Sequence, residues 1–289
     1  NDCWILKLDV QGNIIWQRTI GGNSFDAVHK IIPAYDSGYI VLAGSASTIG
    51  GEKTEVSRGN SDLWIYKLSK RGVIEWQKTI GGSGTETGTA ICYAQGGGYL
   101  ITCTSTSGIS YEKTSANKGA NDFWVIKINN TGAIQWQQSY GGTATDNIFD
   151  VAKTTDGGYI LAGQSISTIS GDKTEINRNG TVDYWIIKVD SIGAIKWQKT
   201  IGGNDFDGQE MNVSQTSDSG FVISGSSLSN ISAEKTDNSR GGGDYRVEKL
   251  DKSGALQWQK TIGGSANDYF ASAAMVNDTS FLIGGQSYS

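Results

Sequence analysis

The chain repeats one pattern five times, and this repeat constrains the fold more than any single residue does. Each copy reads roughly Asp-x-Trp-x-x-Lys-Leu, a turn, then Ile-x-Trp-Gln-Lys-Thr-Ile-Gly-Gly. The copies follow one another every 60 or 61 residues and begin at Asp2, Asp62, Asp122, Asp183 and Asp244. A period of this length predicts an array in which each unit buries its apolar surface against its neighbours.

The third copy shows how one unit divides into strands. Asp122 to Asn129 and Ile134 to Tyr140 are rich in β-branched and aromatic residues and flank a glycine-containing turn. Ile148 to Thr155 and Tyr159 to Ser167 flank an Asp-Gly-Gly hairpin signal. No stretch keeps a 3.6-residue apolar period. Four short antiparallel strands per unit predict a propeller blade. A β-solenoid is the alternative, although hairpin turns inside each repeat count against it.

The phase of the repeat at the two chain ends predicts a closed ring. The chain begins with half a blade, Asp2 to Gly22, and stops after the complementary half, Asp268 to Ser289. Pairing these halves would leave no open sheet edge. The sequence therefore predicts an all-β fold, a five-bladed β-propeller with four antiparallel strands per blade, formed by residues 1–289 as a single domain. A fragment of a longer array would have the same ends.

Composition excludes several classes of partner and site. The net charge is −5 and the pI about 5.0, with no basic block, which argues against binding to nucleic acid or anionic membranes. No apolar run reaches the ~18 residues of a membrane-spanning helix. Three cysteines predict neither a disulfide framework nor a zinc site, although Cys92 and Cys103 flank one hairpin turn and could form a cross-strand disulfide.

Several repeated strings resemble a known group of bacterial proteins. DSGYIVLAGSAS, DGGYILAGQSIS, SGDKTEINRNG, DYWIIKVD and WQKTIGG resemble repeat segments of secreted and surface proteins of Bacteroidetes, which often end in a type IX secretion sorting domain. The resemblance covers the whole chain. It implies an extracellular β-propeller, secreted or at the cell surface, as a monomeric domain of a larger protein. It implies no particular reaction.

Residues that recur in every copy are interpreted first as packing residues. The tryptophans of both strand types are expected in the core between blades, where each buries about 150–250 Å². A lysine recurs inside the apolar strand that begins each copy. A buried lysine needs a carboxylate partner or a route to the surface for its ammonium group. The strand-leading aspartates are its expected partners. These lysines are Lys7, Lys67, Lys127, Lys188 and Lys249.

An acid recurs four residues after the second glycine of each Gly-Gly corner and is the first candidate ligand-binding group. The five acids are Asp26, Glu86, Asp146, Asp207 and Asp268. Carboxylates around a narrow channel could hold Ca²⁺ through oxygen ligands, with Asp26, Asp146, Asp207 and Asp268 as the ligands. Two of them could act as acid and nucleophile in glycoside hydrolysis. Alternatively, each acid caps backbone N–H groups at its own corner.

The long polar loops carry the second set of candidates. Each has an acid-Lys-Thr core followed by a basic residue, and binding residues concentrate on loops held by a rigid scaffold. The candidate lysines are Lys53, Lys113, Lys173 and Lys235, and the candidate arginines are Arg58, Arg178 and Arg240. Regular loops of this kind are expected to fold back and be ordered. A solvated loop tied down by surface ion pairs is the alternative.

No catalytic residue is assigned, since His29 is the single histidine and no nucleophile, metalloprotease or phosphate-loop motif is present. The sequence therefore predicts a non-enzymatic propeller for binding or adhesion, with a glycan or a surface protein as partner. Its ligand would lie on the face that carries the long loops and the Gly-Gly corners. A glycosidase or lyase-like propeller and a structural spacer in a large adhesin are the alternatives. No cofactor beyond Ca²⁺ is expected.

Overall fold

A computed structural model describes residues 1–277 and 280–288, and these are almost entirely β-strand. They form twenty strands and one 3-10 turn at Arg178–Gly180. Four four-stranded sheets follow one another along the chain, each ordered as in the sequence. No helix in this described part is long and apolar enough to cross a membrane.

Each four-stranded sheet is a complete antiparallel blade. The first contains β3 (Asp26–Pro33), β4 (Tyr39–Ser45), β5 (Asp62–Leu68) and β6 (Ile74–Ile80). The second contains β7 (Glu86–Tyr93), β8 (Tyr99–Ser105), β9 (Asp122–Ile128) and β10 (Ile134–Tyr140). The third contains β11 (Asp146–Lys153), β12 (Tyr159–Ser165), β13 (Asp183–Val189) and β14 (Ile195–Ile201). The fourth contains β15 (Asp207–Gln215), β16 (Phe221–Ser227), β17 (Asp244–Leu250) and β18 (Leu256–Ile262).

The chain ends form two separate two-stranded sheets. One contains β1 (Cys3–Leu8) and β2 (Ile14–Ile20), the other β19 (Asp268–Asn277) and β20 (Ser280–Ser287). Their sum with the four blades fits the predicted count of about five and a propeller-like all-β fold. The predicted closure is not found, because no hydrogen-bonded pairing joins the two half-sheets within residues 1–277 and 280–288. Each half-sheet is a hairpin closed by a local turn, whereas joining them would pair strands from opposite ends of the chain.

The predicted strand positions are confirmed to within about two residues. In the third copy, the strand expected from Asp122 to Asn129 is Asp122–Ile128, and the strand expected to end at Ser167 ends at Ser165. The central strands read as continuous apolar runs because both of their faces are covered; all seven residues of β5 and of β13 are buried. Each tight turn between the last two strands of a blade places a glycine in the left-handed region, as at Gly132 between β9 and β10, with φ of 82°.

By its internal contacts the chain divides into two compact units. The first comprises Asn1–Asn117 and Trp124–Ser139, and the second comprises Lys118–Phe123 and Tyr140–Ser289. In the first unit, Trp64 packs in an apolar cluster with Ile5 and Val41. In the second, Ile186 and Ile223 belong to one cluster with Phe221. The prediction of a single domain over residues 1–289 stays a prediction.

The two tryptophan sets differ in burial. The third-strand tryptophans Trp64, Trp124 and Trp185 are fully buried, whereas Trp4 on the open half-sheet is 61% exposed. The last-strand tryptophans are only half-buried at best. They lie against the turn glycine of the next copy, so that a Cβ on Gly72 would come within 2.9 Å of the Trp16 ring.

Three of the five strand lysines, Lys67, Lys188 and Lys249, form ion pairs, but the predicted partner is wrong. Lys188 pairs with Asp156 and Lys249 with Asp218, each at 2.9 Å, and both acids lie in the hairpin turn between the first two strands. The strand-leading aspartate sits five residues before the lysine, about 16 Å away along an extended strand. The hairpin turn instead lies at the lysine's own end of the sheet.

No disulfide joins Cys92 and Cys103. The hairpin register places Cys92 opposite Leu100 and Cys103 opposite Gly88. The two thiols are therefore on pairs that lie several residues apart along the ladder, too far for a cross-strand bridge.

Candidate functional site

The five corner acids are buried, with 0–4% of their surface exposed. Asp146 is representative: its Oδ2 accepts the Gly142 N–H at 2.7 Å and the Ser167 hydroxyl at 2.9 Å. Asp26 makes the equivalent bonds to Gly22 and Ser47. This geometry matches the capping interpretation, in which each carboxylate holds its own Gly-Gly corner together.

The fourth four-stranded sheet has Arg246 in place of the buried tryptophan, and its corner acid Asp207 takes a different partner. The Arg246 guanidinium lies 3.1 Å from Asp207 and 2.6 Å from Glu248, and all three side chains are fully buried. Burial raises the pKa of Glu248, although the adjacent guanidinium opposes that shift. Arg246 therefore compensates two buried carboxylates, and a buried pair of this kind is costly to break.

The four loop lysines are buried under their own loops instead of facing solvent. Each of three ammonium groups lies close to the ring of a buried tryptophan on the strand that follows its loop. The distances to the ring centres are 5.7 Å for Lys53 and Trp64, 4.8 Å for Lys113 and Trp124, and 5.4 Å for Lys173 and Trp185. Each ammonium is bonded to hydroxyl groups, and Lys235 donates to Ser227 at 2.7 Å. Burial lowers the pKa of Lys173 and of Lys235 to about 8. The ammonium–ring contact stabilises the buried cations of Lys53, Lys113 and Lys173.

One glutamine per copy ties the loop to the sheet. Gln77 Oε1 accepts both the Trp64 indole N–H at 3.0 Å and the Thr54 backbone N–H at 3.1 Å. Its Nε2 donates to the Glu52 carbonyl at 2.7 Å. The same arrangement recurs around Gln137. The expectation that the loops fold back and are ordered is met, and the Trp-Gln pair of the repeat is part of the reason.

The loop arginines link consecutive loops. Arg58 makes a bidentate pair with Glu112 of the next loop, with Nη2–Oε1 at 2.8 Å and Nε–Oε2 at 3.1 Å. Arg178 pairs with Glu234 in the same way. Arg240 is exposed, and among residues 1–277 and 280–288 its side chain forms no ion pair. These contacts account for two of the three predicted arginines as inter-loop ties.

The structure therefore gives most of the predicted site residues internal partners. Their roles in ligand binding stay predictions. Within the described residues, no three His, Cys, Asp or Glu side chains are grouped so that they could hold a metal ion. The predicted loop and corner residues therefore offer few free groups to a ligand, and other parts of the surface become candidates.

A cavity in the second unit has the features of a ligand site. Its volume is ≈ 640 Å³, within the usual range for small-molecule sites. It is lined from β11, β15, β19 and β20 by Phe149, Gln209, Glu210, Tyr269, Phe270, Ala271 and Gln286. Tyr269 is 38% exposed and Phe270 only 2%, so one ring faces solvent while the other forms the floor.

The cavity forms where strands β11, β15 and β19 contain β-bulges. The ladder register shifts between Ile148 and Asp150 in β11, and between Phe270 and Ser272 in β19. In β15 the shift is wider and spans Gly208 to Asn212. A β-bulge turns side chains out of the alternation and re-aims them, and bulges are frequent beside binding sites. Four of the seven lining residues, Phe149, Gln209, Glu210 and Ala271, lie where the bulges interrupt the ladder.

The β15 bulge holds two non-glycine residues in the left-handed region. Gln209 has φ of 61° and Glu210 has φ of 40°. The Gln209 N–H donates to Gln164 Oε1 at 2.9 Å, and beyond the bulge the Val213 N–H donates to Asp150 at 3.0 Å. Left-handed residues of this kind cost roughly 1–3 kcal/mol each and are concentrated at functional sites.

Sequence reasoning missed this site because it searched for what the copies share. At the bulge the copies differ, with His29, Thr89, Phe149, Glu210 and Ala271 in comparable places. One signal was present: Phe221 follows the corner acid Asp207 by 14 residues, whereas the equivalent spacing in the other four copies is 13. The extra residue marks the copy that departs from the common pattern.

Comparison with known proteins does not assign this chain to a family. No family model matches it, and no curated protein is similar to it. One similar solved structure is a protein of unknown function from Bacteroides caccae, with 12% identity, a TM-score of 0.46 and coverage of 88% of this chain and 73% of that one. No family match supports the repeat type that the sequence suggested.

Two other similar structures are larger proteins. A variant of the Synechocystis apocarotenoid oxygenase has 11% identity and a TM-score of 0.45, over 89% of this chain and 55% of that one. A eukaryotic initiation factor has 8% identity and a TM-score of 0.36, over 90% of this chain and 60% of that one. This chain thus spans little more than half the length of either protein.

These matches correct one prediction. The sequence predicted a chain without enzymatic activity, yet an oxygenase, which is an enzyme, is among the structures that it resembles. The firm prediction of no activity is therefore wrong. With identities of 11–13% to that enzyme, catalysis by this chain is not established either.

Proposed function

We propose that this chain binds a saccharide in the cavity of its second unit, as part of a secreted or surface-attached protein. The single observation that carries the proposal is the pairing, in one cavity, of a solvent-facing Tyr269 ring with the polar side chains of Gln209, Glu210 and Gln286. Saccharides present apolar C–H faces and a rim of hydroxyl groups. A ring beside carboxamide and carboxylate groups is complementary to both.

The proposal changes the location of the site and keeps the predicted ligand class. The loop lysines and corner acids are buried and bonded internally, so they offer few groups to a ligand. The cavity residues are instead exposed, as Gln209, Glu210 and Gln286 all are. A saccharide site also suits a pocket of ≈ 640 Å³, which would enclose one or two sugar rings. Secretion rests on the resemblance of the repeats.

A glycan array tests the proposal with two matched tyrosine variants. Tyr269 and Tyr93 have the same exposed fraction, 38%, but only Tyr269 lines the cavity. We expect the wild-type chain to bind one glycan class, Tyr269→Ala to lose at least 10-fold in affinity, and Tyr93→Ala to bind normally. Circular dichroism of both variants checks folding. Absence of binding to every glycan, or equal losses in the two variants, would remove the cavity from consideration as a saccharide site.

A further inference from the structure

The charge of the cavity is set by one residue. Of the seven lining residues only Glu210 carries a charge at neutral pH, and none of them is a lysine, arginine or histidine. Glu210 is exposed, and no ion pair to it is found among residues 1–277 and 280–288. Two acids on β15 and β17 differ in this respect, because Asp207 and Glu248 share the Arg246 guanidinium. The cavity therefore presents an uncompensated negative charge.

The backbone segment that carries Glu210 is held on both sides by hydrogen bonds. Glu210 follows Gln209 in a left-handed segment, where a long side chain is strained and glycine or asparagine would fit more easily. The segment is fixed on one side by the bond from Gln209 to Gln164, and on the other by Asp150, which accepts from Asn212 at 3.2 Å. Because this backbone segment is held on both sides, a ligand that pairs with Glu210 has only the side chain of that residue to order on binding.

Aromatic rings lie beside the carboxylate and favour the same kind of ligand group. Phe149 and Tyr269 line the cavity together with Glu210. The face of an aromatic ring attracts an ammonium group, and a carboxylate attracts it as well. A neutral sugar could donate a hydroxyl hydrogen bond to Glu210 but could not neutralise its charge. An ammonium group would add a charge–charge interaction that a neutral saccharide lacks.

On the basis of the proposed function, we infer that the saccharide bound here carries a free amino group, and that Glu210 selects it as an ammonium ion over its acetylated or hydroxyl counterpart. The ligand class is thus an amino sugar with an unsubstituted amine, such as an oligomer of glucosamine. Pairing the ammonium with Glu210 and a ring, in a partly solvated cavity, corresponds to about a 10-fold gain in affinity or more.

Three tetrasaccharides with the same β-1,4 backbone test this inference by isothermal titration calorimetry at pH 6. They differ only at the second carbon, which carries an amine in the glucosamine oligomer, an acetamide in its acetylated form and a hydroxyl in cellotetraose. We expect the glucosamine oligomer to bind about 10-fold more tightly than the other two. Glu210→Gln should remove this preference and keep the same backbone, whereas Asp2→Asn removes an exposed charge outside the cavity and should preserve the preference.

The outcomes separate the two proposals. Equal binding of the three tetrasaccharides, or an unchanged preference in Glu210→Gln, would overturn the inference and leave saccharide binding in place. Loss of the preference in Asp2→Asn would attribute it to net charge and would also overturn the inference. Tightest binding of the acetylated or the hydroxyl form would likewise overturn the inference. If none of the three binds and the glycan array is also negative, the proposed function and the inference fail together.

Discussion

Replacing Trp64 and Trp4 by alanine compares two tryptophans that occupy the same place in the repeat but differ in burial. Trp64 is 0% exposed, and Trp4 is 61% exposed because the sheet that contains it has only two strands. Both indole N–H groups donate to the glutamine thirteen residues later, at 3.0 Å for Trp64 and 3.1 Å for Trp4. The hydrogen bond is therefore common to both, and burial is the main difference.

The expected costs follow from that difference. Trp64→Ala should lower the free energy of unfolding by about 3–5 kcal/mol, the usual range for a fully buried tryptophan. The loss of the Lys53 ammonium contact, at 5.7 Å from the ring centre, should add to this, by about 1 kcal/mol. Trp4 retains about two-fifths of its burial, so Trp4→Ala should cost roughly 1–2 kcal/mol.

Urea denaturation followed by far-ultraviolet circular dichroism measures both values, provided that the m-value is unchanged. Trp124→Ala is the internal control, since Trp124 is also 0% exposed and has Lys113 4.8 Å from its ring, and it should match Trp64→Ala. Equal costs for Trp4 and Trp64 would refute the reasoning. They would mean that Trp4 is covered in solution, as the closed ring predicted from the sequence requires.

Three further measurements test other parts of the structure. Burial raises the pKa of Asp183 to about 7, so the folded chain holds an extra proton between about pH 4 and 7; its stability should fall as pH rises through that window, and Asp183→Asn should flatten the fall, whereas identical pH profiles would contradict the shift. Gln209→Gly should raise the free energy of unfolding by about 0.5–1 kcal/mol by relieving the left-handed strain, while Gln215→Gly in the same strand should lower it, and destabilisation by both would show that no strain is stored at the bulge. Arg58→Ala and Glu112→Ala should each cost about 1 kcal/mol, and a double-mutant cycle should give a coupling of about 0.5–1.5 kcal/mol, with zero coupling ruling out the inter-loop tie.

Much of the candidate-site region was readable in outline but not in detail. The corner acids were recognised as a set, and the capping of backbone N–H groups was one of the interpretations that the sequence allowed. The burial of Lys53 and Lys173 was not foreseen, because an acid-Lys-Thr loop reads as solvated. Only the folded loop shows that each ammonium group contacts a tryptophan ring on the strand that follows the loop. Sequence spacing gives no distance between a loop residue and a strand residue.

The partners of the strand lysines show the same limit. The sequence predicted a carboxylate for Lys188 and was right about the chemistry, but it chose Asp183 at the start of the same strand. Asp156 is 32 residues away in sequence and adjacent in space, since the hairpin turn lies beside the end of the neighbouring strand. Alternation of strand direction brings these two ends together, and that is a property of the sheet.

The sequence alone determined the strands, the turns and the number of repeats, because these depend on residues that are neighbours along the chain: β-branched runs, turn glycines and a 60-residue period. The tertiary structure decided which charges are buried, whether the half-sheets pair, and where a cavity opens. Those features depend on contacts between distant residues. The cavity depends most of all on one extra residue in β15, which forces Gln209 and Glu210 out of the ladder; its consequence appears only when the neighbouring strands are in place.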